Sequence, residues 1–227
     1  MNYNEWIASQ KSTIVDTENH SFEVSYFEEG SGSDVTLFLH GIPTWSFLFR
    51  DIYSVATHAI IPDLAGYGFT KHLGNGGYDR SLRVQGKLIT EFLNIFDLDS
   101  VTIVGHDIGG GIALRLAVFT DVVKSLVLSN SVCYDNWPVP FIHEQGVPEI
   151  VRETTVRDIE EQFDAVFTQG TYGTDGNDEF VAGMNAPFSA EVRSPTAFGR
   201  NAISTNTNHT LEISSKLDSI TCPTLLL

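Results

Sequence analysis

Apolar positions along this chain follow two different periods. From Ser12 to Glu29 the runs STIVDTE and SFEVSYFEE alternate apolar and polar residues on either side of Asn19-His20. That alternation predicts an antiparallel hairpin with one face exposed. Asp34–His40 (DVTLFLH), His58–Gly66 (HAIIPDLAG), Val101–Val104 (VTIV) and Val123–Ser131 (VKSLVLSNS) are richer, nearly continuous apolar runs. They predict strands buried on both faces. Helical spacing separates them. Ser81–Phe96 repeats apolar residues such as Leu82, Ile89, Phe92 and Phe96 on one face, with Asp79 or Ser81 as N-cap. A helix is also predicted from Trp45 to about Ala56, with Phe47, Leu48, Ile52 and Val55 near its inner face, and another from the glycines after Asp107.

This alternation of strand and helix implies an α/β fold, a mostly parallel, doubly wound sheet with helices on both faces. Ligands in such sheets bind outside the carboxyl ends of the strands. His40-Gly41-Ile42, Asp63-Leu64, Asp107 and Asn130 all fall at such ends. From Val132 the pattern breaks. Residues 132–208 hold proline-rich turns, helical segments near 155–167 and 194–203, and a glycine-rich loop from Gly170 to Gly176. We read this stretch as a helical cap inserted into a core formed by residues 1–131 and 209–227. LEISSKLDSI and the final CPTLLL read as the return to the sheet.

Composition narrows the function. A hydrophobic share of 42% in 227 residues suffices for one domain with a sizeable core. The net charge of −16 argues against nucleic-acid binding, which needs lysine and arginine to displace counterions from phosphates. The two cysteines, Cys133 and Cys222, have neither metal-ligand spacing nor a disulfide framework. No cofactor and no metal are expected. The N-terminus lacks an apolar signal region and no stretch approaches a membrane span, so a soluble, cytoplasmic protein without membrane partners is expected.

The candidate chemistry lies in Val101–Ala117, VTIVGHDIGGGIALRLA. A β-branched strand runs into a tight turn, Gly105-His106-Asp107-Ile108-Gly109, and a helix opens on glycines. This has the form of a nucleophile elbow, G-x-S-x-G, with Asp107 at the central position. Two further motifs precede it in order: HGIPTW at 40–45, followed by SFLFR, and DLAGYGFT at 63–70. Together the three resemble the α/β-hydrolase fold, specifically its aspartate-nucleophile branch of haloalkane dehalogenases and epoxide hydrolases. HGIPTW is similar to that family's H-G-x-P oxyanion loop, and DLAGYGFT to its D-x-x-G-x-G-x-S turn, with Thr70 for Ser.

The resemblance implies a hydrolase acting on a small apolar substrate, with water as second reactant. Asp107 is then the nucleophile that forms an alkyl ester, and the backbone N–H groups of Ile42 and Ile108 form the oxyanion hole. Trp45, His106, Asn130, Tyr134 and Trp137 are candidate pocket residues, and His40 braces the loop. Three departures qualify the likeness. The position after the nucleophile, where dehalogenases place a halide-holding Trp, is Ile108. Asn130 stands where some relatives carry an orienting acid. No histidine follows His209, although the family places its general base near the C-terminus. The expectation is a piece of a longer enzyme that lacks the base. The alternative is a non-catalytic hydrolase-like protein that binds a ligand or partner. A serine esterase is disfavoured because no G-x-S-x-G occurs.

Overall fold

The computed structural model describes residues 1–170, 178–189 and 193–227. An eight-stranded sheet forms its spine. Its order is β1 (Lys11–Asp16), β2 (Ser21–Gly30), β4 (His58–Pro62), β3 (Val35–Leu39), β6 (Val101–His106), β7 (Val123–Ser129) and β8 (Thr224–Leu226). The two-residue β5 (Lys71–His72) pairs with β2. The predicted hairpin is present, β1 and β2 pairing antiparallel from Lys11↔Tyr26 to Asp16↔Ser21. β3, β4, β6, β7 and β8 run parallel.

The continuous apolar runs have the cause the sequence suggested. Successive side chains of a strand point to opposite faces, and both faces here are covered. Leu37 and Leu39 of β3 enter one core cluster while Phe38 enters the other, and Ile60 and Ile61 of β4 divide the same way. The first cluster packs under α2 (Leu82–Ile95), α3 (Ile108–Phe119) and α9 (Asn208–Ser214), through Leu88, Phe92, Ile112 and Ile213. The second lies under α1 (Tyr3–Ser9), whose Trp6 stacks on Phe27 at 3.9 Å.

Between β7 and α9 the chain builds α4 (Pro140–Gln145), α5 (Pro148–Glu153), α6 (Val156–Gly170), α7 (Asp178–Ser189) and α8 (Thr196–Ile203). Phe163 of α6 joins them, meeting Phe188 of α7 and Phe198 of α8 edge-on. These side chains share one buried cluster with Trp45, Phe47 and Phe49, so the helical segment sits over the chain that leaves β3.

Two expectations need correction. Trp45–Ala56 is not one helix but two short 3-10 turns, Ser46–Phe49 and Tyr53–Val55. The Ser46 N–H is drawn to Asp63 at 2.9 Å, and Phe47 and Phe49 are both buried, which fits a tight coil rather than an α-helical stripe. Val55, expected inward, is 85% exposed. The expected return to the sheet is present: LEISSKLDSI continues α9 into a 3-10 turn (Leu217–Ser219), and Thr224–Leu226 then pairs with β7. The glycine-rich loop 170–176 falls, apart from Gly170, outside the described residues.

Candidate active site

β6 delivers the elbow. Its register against β3 sets Leu39 beside Gly105, so the chain leaving β3 at His40-Gly41-Ile42 passes over the turn at Asp107. The turn is tight enough to exclude side chains. A Cβ on Gly109 would lie 2.1 Å from the Leu39 carbonyl oxygen, so helix α3 touches β3 backbone to backbone. Asp107 takes φ 54° and ψ −120°, a region that costs a non-glycine residue of order 1–3 kcal/mol and persists only where its surroundings enforce it. Here they do: the Asp107 carbonyl accepts from Gly110 and Val132, and its N–H donates to the Ser129 carbonyl.

The side chain of Asp107 is buried against the loop after β3. Its Oδ1 accepts the Ile42 N–H at 2.8 Å. Burial raises its pKa above the ordinary aspartate value, while the N–H groups of Ile42 and Ile108 and the nearby His106 pull it back down. Thus the two backbone donors expected to form an oxyanion hole already act on the carboxylate.

The Ile42 loop is held from behind by two buried polar groups. His40 Nε2 accepts the Leu64 N–H at 3.0 Å, which fixes the proton on Nδ1, 3.0 Å from the Gly41 carbonyl it donates to. Burial lowers the His40 pKa to about 4, so the ring is neutral at neutral pH. Asp63 accepts the Ser46 N–H at 2.9 Å on Oδ1, and the Phe69 N–H and the Gln10 side-chain amide on Oδ2. Gly68, at φ +46°, lies so close that a Cβ there would fall 2.2 Å from Asp63 Oδ2. Thr70, in the family's serine position, donates from its hydroxyl to the Asp63 carbonyl at 2.6 Å and accepts the Ser25 N–H at 3.0 Å. The glycines of DLAGYGFT therefore wrap the loop around a buried carboxylate.

Tyr67, between two of those glycines, escaped the sequence reading, which used the segment only as a turn. It is buried, and its ring meets His40 edge-on at 5.3 Å. Burial and the charge of Asp107 push its pKa far up, so the phenol stays protonated. Its place at the carboxyl end of β4 was the available signal.

The other expected residues divide. Trp45 lines a void with Tyr67, Phe188, Phe198, Arg193 and Asn201, but of only about 10 Å³, room for no more than one water. The Trp45 indole N–H donates to the Gly183 carbonyl at 2.9 Å. Trp137 is buried in the cluster under α2 and α3, its indole N–H donating to the Thr210 hydroxyl at 2.8 Å. Neither indole has a donor left for a halide. His106 stands beside Asp107, its Nδ1 3.4 Å from the Ser129 hydroxyl. Asn130 lines a different, open groove with Cys133, Leu128 and Leu226, and Tyr134 is 53% exposed. Neither joins Trp45 in its void.

Three further histidines are engaged elsewhere. His58 pairs with Glu28, and His20 faces His72 at 3.2 Å. His209 is buried with its Nδ1 unpartnered, among the charges of Arg83, Arg115, Asp79 and Glu212. Among the described residues no three His, Cys, Asp or Glu side chains gather as metal ligands, and no helix is long and apolar enough to cross a membrane.

Residues 35–191, which run from β3 through the elbow into the helical segment, match the alpha/beta hydrolase fold family. The chain belongs to that family. It is 35% identical over 112 residues to haloalkane dehalogenase 2 of Mycobacterium tuberculosis, a match covering 48% of this chain and 38% of that protein. It is 29% identical over 143 residues to the coelenterazine h 2-monooxygenase of Renilla reniformis, covering 59% of this chain and 44% of that one. The matched stretch thus spans about two fifths of the length of such curated relatives. Among solved structures, the epoxide hydrolase CorEH superposes with a TM-score of 0.76 at 19% identity, over 96% of this chain and 80% of that one. A loop variant of the haloalkane dehalogenase DbeA from Bradyrhizobium elkanii gives 0.73 at 22%, over 96% and 79%. Both show the α/β-hydrolase fold. The named relatives include a monooxygenase as well as dehalogenases, so the chemistry must be read from the residues.

Proposed function

We propose that this chain is a hydrolase of the haloalkane dehalogenase or epoxide hydrolase type, in which Asp107 forms an alkyl ester with a small apolar substrate. The observation that carries the reading is the Ile42 N–H donating to Asp107 Oδ1 at 2.8 Å, on an elbow held at positive φ. In this chemistry a carboxylate oxygen attacks carbon and the C–X bond breaks, X leaving with the bonding pair. The other carboxylate oxygen becomes the ester carbonyl. When water adds to that carbonyl, negative charge grows on the oxygen that the Ile42 N–H already addresses, and the Ile108 N–H also acts on the group. Donors in place before the reaction cost no reorganisation when the charge develops.

The substrate enters beneath the segment of residues 132–208, which acts as a cap over a core of residues 1–131 and 209–227. The void of about 10 Å³ between that segment and Trp45 and Tyr67 is too small for a substrate, so on this reading the cap shifts to admit one. For an epoxide, the protonated phenol of Tyr67 is the side chain near Asp107 suited to donate to the leaving oxygen. Both ring nitrogens of His40 are occupied, and His209 lies among other charges. The described residues therefore support ester formation, and neither His40 nor His209 is placed to act as the base for its hydrolysis. The alternative, a non-catalytic ligand-binding protein, draws support from that same feature.

A burst assay separates the two. Incubation with a primary bromoalkane is expected to release about one bromide per chain and then stop. Absence of any bromide from a folded sample, together with no diol or adduct from an epoxide, would sink the hydrolase reading.

A further inference from the structure

Among the described residues, the helical segment is fastened to the core by two partly buried arginines that lack a direct acid. Arg193, just before α8, donates Nε to the Gly68 carbonyl at 3.0 Å and Nη2 to the Tyr67 carbonyl at 2.7 Å and to the Thr70 carbonyl. Arg80, at the foot of α2, donates Nη1 to the Ala197 carbonyl at 3.2 Å and to Asn201 Oδ1 at 2.7 Å. Asn201 in turn donates Nδ2 to the Gly66 carbonyl at 2.9 Å. Among the described residues neither arginine makes an ion pair with a carboxylate, and the charge of Arg80 acts on Arg193. Burying guanidinium groups this way is costly unless their charge is compensated.

Besides the Tyr67 and Thr70 carbonyls and the Tyr78 side chain, one peptide group links Arg193 to a carboxylate. The unit joining Gly68 to Phe69 presents its carbonyl to Arg193 and its N–H to Asp63 Oδ2, at 3.0 and 2.8 Å. One dipole is thus held between the partly buried Arg193 guanidinium and the buried Asp63 carboxylate, each polarising it in the same sense. The second oxygen of Asp63 accepts the Ser46 N–H, four residues after Ile42 on the same loop. An unbroken chain of polar contacts therefore runs from the helical segment to the loop whose N–H addresses Asp107.

We propose that Arg193 and Asp63 are a pair of positioning residues, joined by the Gly68–Phe69 peptide, through which seating of the helical segment sets the shape of the Ile42 loop. With Arg193 docked, the peptide is pinned and Asp63 keeps Ser46, and with it Ile42, in place over the elbow. With Arg193 withdrawn, Asp63 loses its counter-charge and the loop relaxes. The consequence for catalysis rests on the ester reading above. The coupling itself is a property of the free protein and is tested without substrate.

The test is residue-resolved amide hydrogen exchange on Arg193→Met, Asp63→Asn, the double variant, and Arg157→Met as a control at an exposed arginine paired with Glu161. Arg193→Met is expected to speed exchange at Phe69 and Ser46 by at least about tenfold. The amide of Val127 in β7 should hold its wild-type rate, and the control should change neither site. In the Asp63→Asn background, Arg193→Met should add nothing further at Ser46. If Asp63→Asn does not fold, the contrast between Ser46 and Val127 in Arg193→Met decides alone. A Ser46 rate unchanged in folded Arg193→Met, an increase shared equally by Val127, or full additivity in the double variant would each overturn the proposal.

Discussion

Asp107 carries a charge whose burial works against folding. Its pKa is raised in the folded protein, so the folded state holds the proton more tightly than the unfolded chain. The contribution to stability therefore falls as pH rises from the ordinary aspartate range through the folded value. Asp107→Asn, which keeps the shape and the acceptor for Ile42, is expected to raise the melting temperature at pH 7 by roughly 2–4 °C, about 1 kcal/mol. The gain should vanish as pH falls into the ordinary aspartate range, which thermal melts across pH will show. His40 works in the opposite direction. Its pKa drops from 6.5 to about 4 on folding, so its contribution is complete above 6.5 and is lost as pH falls toward 4. That window is worth about 3 kcal/mol. Denaturant titrations of His40→Gln, which retains an acceptor for the Leu64 N–H, should show a flatter pH dependence there. The meeting of Asp107 with the Ile42 and Ile108 N–H groups was legible in the sequence because their motifs are local. Asp63's contacts with Gln10, Ser46 and Phe69, and the docking of Arg193, were not, since they join four separate segments.

At the scale of elements, hydrophobic period located the central strands and α2, because each buries a face long enough to show a repeat. It failed where tertiary contacts override spacing. The Trp45–Ala56 segment has helical spacing, but its Ser46 N–H is taken by Asp63 and its chain coils into 3-10 turns. α7 was missed because its interior Pro187 reads as a break. β5 has two residues and no period to read. Glycine placement gives a test of how tightly the elements meet. A Cβ at Gly109 would strike the Leu39 backbone oxygen at 2.1 Å, whereas at Gly86 in α2 nothing lies within 4 Å. Gly109→Ala is expected to destabilise by about 3 kcal/mol or more, since backbone must move. Gly86→Ala should stabilise by about 0.5–1 kcal/mol through helix propensity. Urea denaturation of the pair measures both.

On the scale of the whole molecule, the strand order and the inserted helices bring three distant motifs onto one sheet end. β3 leads to Ile42, β4 to Asp63 and Tyr67, and β6 to Asp107. The α/β architecture was readable because parallel strands need crossovers and the crossovers are helical. The near-closed void beneath the helical segment was not readable, since it depends on how Phe188, Phe198 and Arg193 meet Trp45 and Tyr67. The central claim is that this assembly makes Asp107 a nucleophile toward carbon. Intact-mass measurement after incubation with a reactive epoxide, followed by peptide mapping, tests it most directly. The account predicts one added epoxide mass per chain, located on Asp107, and none on Asp107→Ala. Equal labelling of Asp107→Ala, or an adduct placed on another residue, would contradict it.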